Sequence, residues 1–143
     1  MPVGDLDALG AEPWDPGAVG AEAGPAGAAE LELWFQDWGP IVSTYEAIKA
    51  SVEAAQPNIK IKLTPLPYEQ LLAKIIPSVA AGNEADIMMV YSSWLVASDI
   101  PSLFTPVAPD ILSVDEANAL FYPQALSEGL RGENLYYLPF LNG

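Results

Sequence analysis

Three short runs hold most of the side chains able to grip a ligand. They are Trp34-Phe35-Gln36-Asp37-Trp38, Tyr91-Ser92-Ser93-Trp94, and Tyr136-Tyr137 with Asn142 beyond them. An aromatic face stacks on the apolar face of a sugar ring, while Asp, Asn, Gln and Ser exchange hydrogen bonds with its hydroxyls. Aromatic, amide and carboxylate groups without a catalytic base suit the capture of a polar small molecule. The chain has no histidine and no cysteine. That removes the commonest general base, the commonest zinc ligand, thiolate nucleophiles and structural disulfides. No Gly-x-Ser-x-Gly, P-loop, Gly-x-Gly-x-x-Gly or His-Glu-x-x-His run occurs, so no enzyme activity, cofactor or metal is expected. Composition leaves room for a two-carboxylate hydrolase through Asp37, Asp86 and Asp99, but nothing in the sequence pairs them. Each candidate also has a structural use. Trp34 reads as core, Trp38 fits core or ligand platform, and Asp86 reads first as a cap or loop hydrogen-bonding group.

The whole chain bounds what these residues can belong to. Its 143 residues suffice for one domain with a real core, and 51% of them are hydrophobic. Five basic residues against nineteen acidic ones give a net charge of −14, which excludes phosphate-backbone binding and docking on anionic membranes. The charge itself reads as a solubility device. No apolar run approaches the roughly 20 residues of a membrane span, and the N-terminus lacks the basic and apolar regions of a signal peptide.

Residues 1–29 are set apart by composition, with six Gly, eight Ala and four Pro and no Lys or Arg. Such a segment buries too little apolar surface to offset its ordering entropy, so it reads as a disordered leader. Order is expected from Glu30, where Glu30-Leu-Glu-Leu-Trp-Phe35 has the pattern of a strand entering a buried sheet. Ile41, Tyr45, Ile48, Val52 and Ala55 then recur at helical spacing up to Gln56. Residues 59–64 alternate as a half-buried strand. A second helix carries Leu71, Leu72, Ile75, Ile76 and Val79, with Tyr68 on the same side. Gly82 is its cap, and Pro77 is expected to kink it or start a new turn. Asp86–Val90 reads as a central strand, 93–98 as a short helix, and 99–112 as irregular. Ser113-x-x-Glu116 has capping-box spacing and opens a helix to about Leu126. Leu135–Phe140 reads as a strand at an edge or crossing point, because of Pro139.

The order β-α-β-α-β-α-β makes this an α/β chain with a mainly parallel sheet and flanking helices. Ligands bind beyond the carboxyl ends of such strands, which selects Gln36–Gly39, Tyr91–Trp94 and Phe140–Gly143. The candidate ligand-binding set is therefore Asp37, Trp38, Ser93, Trp94, Tyr137 and Asn142.

From Glu30 to Gly143 the chain resembles the family 1 extracellular solute-binding proteins of sugar-type ABC importers. The likeness runs through LELWFQDWG, AAQPNIKIKLTPLPYEQLLAKI, AAGNEADIMMVYSSWL and RGENLYYLPFLNG, in that order. It implies a periplasmic-binding-protein-like lobe that ends at a hinge strand, with a second lobe needed to close over the ligand. Residues 30–143 are thus expected to be an incomplete N-terminal lobe of a longer protein. The resemblance further implies a small-molecule ligand of the sugar class, membrane subunits of an importer as partners, and a periplasmic or extracellular location. The reading of another class is a small acidic interaction module without ligand binding.

Overall fold

The computed structural model describes residues 28–95 and 99–140. The element order begins β1 (Ala29–Gln36), α1 (Gly39–Ala55), β2 (Ile59–Leu66), α2 (Tyr68–Ala81), β3 (Ile87–Met88) and α3 (Ser92–Leu95). It continues with α4 (Ile100–Leu103), α5 (Val114–Leu120), α6 (Pro123–Ser127), β4 (Leu130–Arg131) and β5 (Asn134–Leu135). β1 lies between β2 and β3, parallel to both. Its register with β2 runs unbroken from Ala29 opposite Ile59 to Gln36 opposite Leu66.

Side-chain alternation along β1 assigns the helices to the two faces of this sheet. Leu33 and Phe35 point to the side where α1 supplies Ile41, Val42 and Tyr45. Trp34 points to the other side, against Leu71 and Ile75 of α2. Trp34 is 2% exposed, so it serves the core as expected. The chain is therefore an α/β assembly with a parallel sheet flanked by helices, as its periodicity implied.

Polar clamps fix the layers. The Glu53 carboxylate on α1 accepts from Lys49 Nζ at 2.6 Å and from the backbone N–H of Ile61 on β2 at 2.8 Å. The bond from Lys49 is the main cause that holds the Glu53 carboxyl below its ordinary value of 4.5, with the Ile61 N–H next. A depressed carboxyl contributes stability above its unfolded pKa and loses it as pH falls through its folded value. In urea titrations, wild type should therefore be more stable than Glu53→Gln at neutral pH, and the gap should close as pH falls below 4.5. A gap independent of pH would show that the carboxylate's charge is not what stabilises the contact. On the other flank of β1, the Asp86 carboxylate accepts from the Glu32 N–H at 2.8 Å. It holds the strand edge just before β3 begins to pair, the backbone-bonding role read for it from the sequence.

The capping box at α5 is present in full. Ser113 Oγ accepts from the Glu116 N–H at 3.2 Å, and Glu116 Oε2 accepts from the Ser113 N–H at 2.8 Å. Replacing Ser113 by alanine should cost about 1 kcal/mol of stability, read as a lower urea midpoint with unchanged slope. The same loss in a Ser127→Ala control would mean that the capping bond is not the cause.

Three expectations are corrected. The last segment does not join the main sheet, because β4 and β5 form a separate antiparallel hairpin and residues 136–140 are not in a strand. Gly132 at φ +63° turns that hairpin, and Pro139 has no N–H to offer a ladder. The helix expected from Ser113 to Leu126 is two helices. Pro123 pushes Tyr122 to φ −63°, ψ 132°, outside the helical region, and then starts α6 itself. α4 occupies part of the segment read as irregular, since Pro101 in a first helical turn favours a helix. α2 includes Pro77 and is closed, as expected, by Gly82 at φ +69°. The leader read over residues 1–29 falls, up to residue 27, outside the described residues, and β1 begins at Ala29.

Candidate functional site

In a parallel sheet all the carboxyl ends lie at one end, so the residues following β1, β2 and β3 must meet there. After β2 comes Tyr68, the first residue of α2. After β3 come Tyr91 and, one turn on, Trp94. Their three rings pack together, with centroids 5.3 Å apart for Tyr68–Tyr91, 5.1 Å for Tyr68–Trp94 and 4.8 Å for Tyr91–Trp94. All three contacts are inclined between 52° and 69°, the edge-to-face and tilted arrangements that ring quadrupoles favour. Trp94 Nε1 donates to the Tyr68 hydroxyl at 3.0 Å. The Tyr91 hydroxyl donates to Gln36 Oε1, tying the end of β3 to the end of β1. Burial, and secondarily the neighbouring Tyr68, push the Tyr91 phenol above its ordinary pKa. It therefore stays protonated and a donor at neutral pH.

At the end of β1 the chain turns outward. The Asp37 N–H donates to the Leu66 carbonyl at 2.8 Å, which fixes Asp37 at the edge of the sheet. Trp38 takes an extended conformation as the residue before α1, and its carbonyl accepts the first helical bond from Val42 at 2.9 Å. Its indole is 53% exposed. Of the two roles open to Trp38, the structure removes the core one.

Beside the aromatic trio lies a shallow, open cleft of about 250 Å³, lined by Ser92, Ser93, Glu128, Arg131 and Tyr137. The hairpin delivers its far wall. Gly129 lets the Tyr137 backbone pass within van der Waals distance, and the Gly129 carbonyl accepts from the Tyr136 N–H at 2.9 Å. Burial, then the Glu128 charge, raise the Tyr137 pKa, while Arg131 pulls the other way. The hydroxyls here offer donors and acceptors, and the carboxylate and the guanidinium offer one charge of each sign.

The structure thus brings Ser93 and Tyr137 to one cleft and sets Trp94 in the ring cluster beside it. Asp37 and Trp38 share the same end of the sheet but do not line the cleft. Asn142 lies outside the described residues. Tyr68, Glu128 and Arg131 are site residues that sequence reasoning missed. Tyr68 was legible as the second residue beyond β2, since the strand-end rule applies to that strand as well. Arg131 belongs to a hairpin whose pairing no local pattern announced, and Glu128 is the C-cap of α6 just before it. Asp37 and Asp86 sit at opposite ends of the sheet, five strand positions or roughly 16 Å apart. That is beyond the reach of a glycosidase carboxylate pair. Among the described residues no group of three or more Asp and Glu side chains is placed to hold a metal ion. Nor is any helix among them long and apolar enough to cross a membrane.

The family model for bacterial extracellular solute-binding proteins matches residues 38–143. A protein of Brucella abortus (strain 2308), named as a binding protein, is 27% identical over 120 residues, covering 83% of this chain and 29% of the relative. A Thermus thermophilus maltotriose-binding protein, solved with maltotriose bound, superposes with a TM-score of 0.62 at 18% identity. The match covers 74% of this chain and 28% of that one. An extracellular solute-binding protein family 1 member from Alicyclobacillus acidocaldarius superposes with a TM-score of 0.64 at 23% identity, over 79% of this chain and 28% of that one. These two structural likenesses bear on fold. The chain spans somewhat under a third of the length of each of these relatives.

Proposed function

Because this chain belongs to the bacterial extracellular solute-binding proteins, we propose that it captures a small polar solute of the carbohydrate class outside the cell. On this reading the solute passes to the membrane subunits of an ABC importer, and no covalent bond is made or broken. Residues 30–143 act as the N-terminal lobe and present one wall of the binding cleft. The observation that carries the reading is the convergence of Tyr68, Tyr91 and Trp94 at the carboxyl ends of the parallel strands, beside a cleft edged with hydroxyls. Ring faces supply apolar contact area at low entropic cost, and the hydroxyls of Ser92, Ser93 and Tyr137 supply the polar contacts. Trp38 and Asp37 extend the same surface. The maltotriose carried by one structural neighbour agrees with this class of solute.

The test is a titration of the full chain with maltotriose and a panel of monosaccharides, followed by tryptophan fluorescence and indole N–H NMR shifts. A single wall holds a ligand weakly, so saturation is expected in the millimolar range. The Trp38 and Trp94 indole signals should move more than that of buried Trp34, and amino acids should leave them unmoved. Flat titrations with every sugar would overturn the proposal. One feature favours the reading as an interaction module, namely the exposure of Ile111, Leu120 and Tyr122 around α5. Flat sugar titrations together with concentration-dependent self-association in ultracentrifugation would put that reading first.

A further inference from the structure

The five cations of this chain, Lys49, Lys60, Lys62, Lys74 and Arg131, face nineteen acidic residues, so a cation without a carboxylate partner is conspicuous. Lys49 and Lys60 share Glu53 at 2.6 and 3.8 Å, and Lys62 pairs with Glu32 at 3.3 Å. Lys74 Nζ sits 4.1 Å above the Trp34 ring. Arg131 is different. Its Nη1 donates to the carbonyls of Glu128 at 2.9 Å and of Leu130 at 2.7 Å, and no ion pair joins it to a carboxylate among the described residues. Neutral carbonyls orient the guanidinium fork without cancelling its charge, and the side chain lines the cleft opposite Ser92 and Ser93.

We propose that Arg131 makes this cleft select a sugar acid, the carboxylate of the solute lying against the guanidinium while its ring meets the neighbouring aromatic groups. The inference rests on the proposed solute-binding role and sharpens its ligand. Arginine's planar fork matches the two oxygens of a carboxylate, and the hydroxyls of Ser92, Ser93 and Tyr137 can donate to the same group. The Tyr137 phenol, raised by burial and by Glu128, stays protonated for that purpose. In a protein of charge −14 an anionic solute is repelled over most of the surface, so a guanidinium without a carboxylate partner, set in a cleft, biases where an anion settles. Glu128, on the same wall, favours a singly charged carboxylate over a phosphate dianion.

The experiment compares galacturonate with galactose, and glucose with glucose 6-phosphate, by NMR titration of the full chain at low and high sodium chloride. Galacturonate should bind about fivefold more tightly than galactose at low salt, the worth of a charge-assisted contact in a site open to water. That preference should shrink in high salt, because screening acts on the charge alone. Arg131→Gln should abolish the preference, and Glu128→Gln should enlarge it, so the second variant keeps the test decisive if the first does not fold. Galactose binding as tightly as galacturonate overturns the inference and leaves the solute-binding role standing. Tighter binding of glucose 6-phosphate than of galacturonate overturns the carboxylate assignment. No saturation by any of the four overturns both.

Discussion

Replacing Gly129 by alanine should cost this protein about 3 kcal/mol, the upper end of what overpacking usually does. A Cβ at that position would lie 2.1 Å from the Tyr137 carbonyl oxygen and 3.2 Å from its carbon. Both are backbone atoms, so no rotamer change relieves the clash. Nor can the two segments drift apart cheaply. The Gly129 N–H donates to Leu126 at 3.0 Å, its carbonyl holds the Tyr136 N–H, and the Leu135 carbonyl accepts from Val107 at 2.7 Å. Leu135 and Leu126 pack with Ala117 in the buried cluster of this half of the fold. The expected result is a lower urea midpoint and lost amide protection at Leu135 and Tyr136. Gly132→Ala is the control. Unlike Gly129 it sits at positive φ, but it has open space around it, so it should cost only about 1 kcal/mol. Equal losses in the two variants would refute the steric account.

The second large effect concerns the ligand. Trp38→Ala should weaken solute binding about tenfold, the scale of one aromatic platform lost from a polar site. Stability should change by less than about 0.5 kcal/mol, because an indole 53% exposed has little packing to lose. The separation of the two readouts is the test. Unchanged affinity removes Trp38 from the site, whereas a large fall in the unfolding midpoint would show that the indole supports the fold.

Much of the sheet was legible because its signals are local. Alternation in residues 59–64, helical spacing from Ile41 to Ala55, and Gly82 just past an apolar stripe each name an element without help from the rest of the chain. Ser113 and Glu116 form their box because both partners lie within one helical turn. The strand-end rule then placed Trp94, Ser93, Asp37 and Trp38 at the carboxyl end of the sheet, where the structure has them. Errors began where two local signals compete. Leu135–Phe140 has strand composition, but Gly132, three residues before Leu135, turns the chain back on Leu130–Arg131, and a hairpin closes at less entropic cost than a long crossover. The apolar pattern from Val114 to Leu126 continues across Pro123, and only the steric restriction on Tyr122 interrupts it. Arg131 was illegible for another reason. Its role depends on which carboxylates the other cations find, and that is settled only when the layers pack.

The division of the hydrophobic residues has a consequence for how the chain is made. The two clusters on the faces of the sheet draw on residues from Leu33 to Phe104, whereas the hairpin cluster draws on Val107 to Leu135. Within these clusters neither half borrows a side chain from the other, and the contact that ties the end of the chain back to the first half is Phe140, stacked on Tyr45 of α1 at 4.8 Å. During synthesis the sheet and its two long helices can therefore close before the last third has left the ribosome. The cleft needs both halves, so it forms only after the hairpin half has docked, and solute binding reports on that docking rather than guiding the sheet.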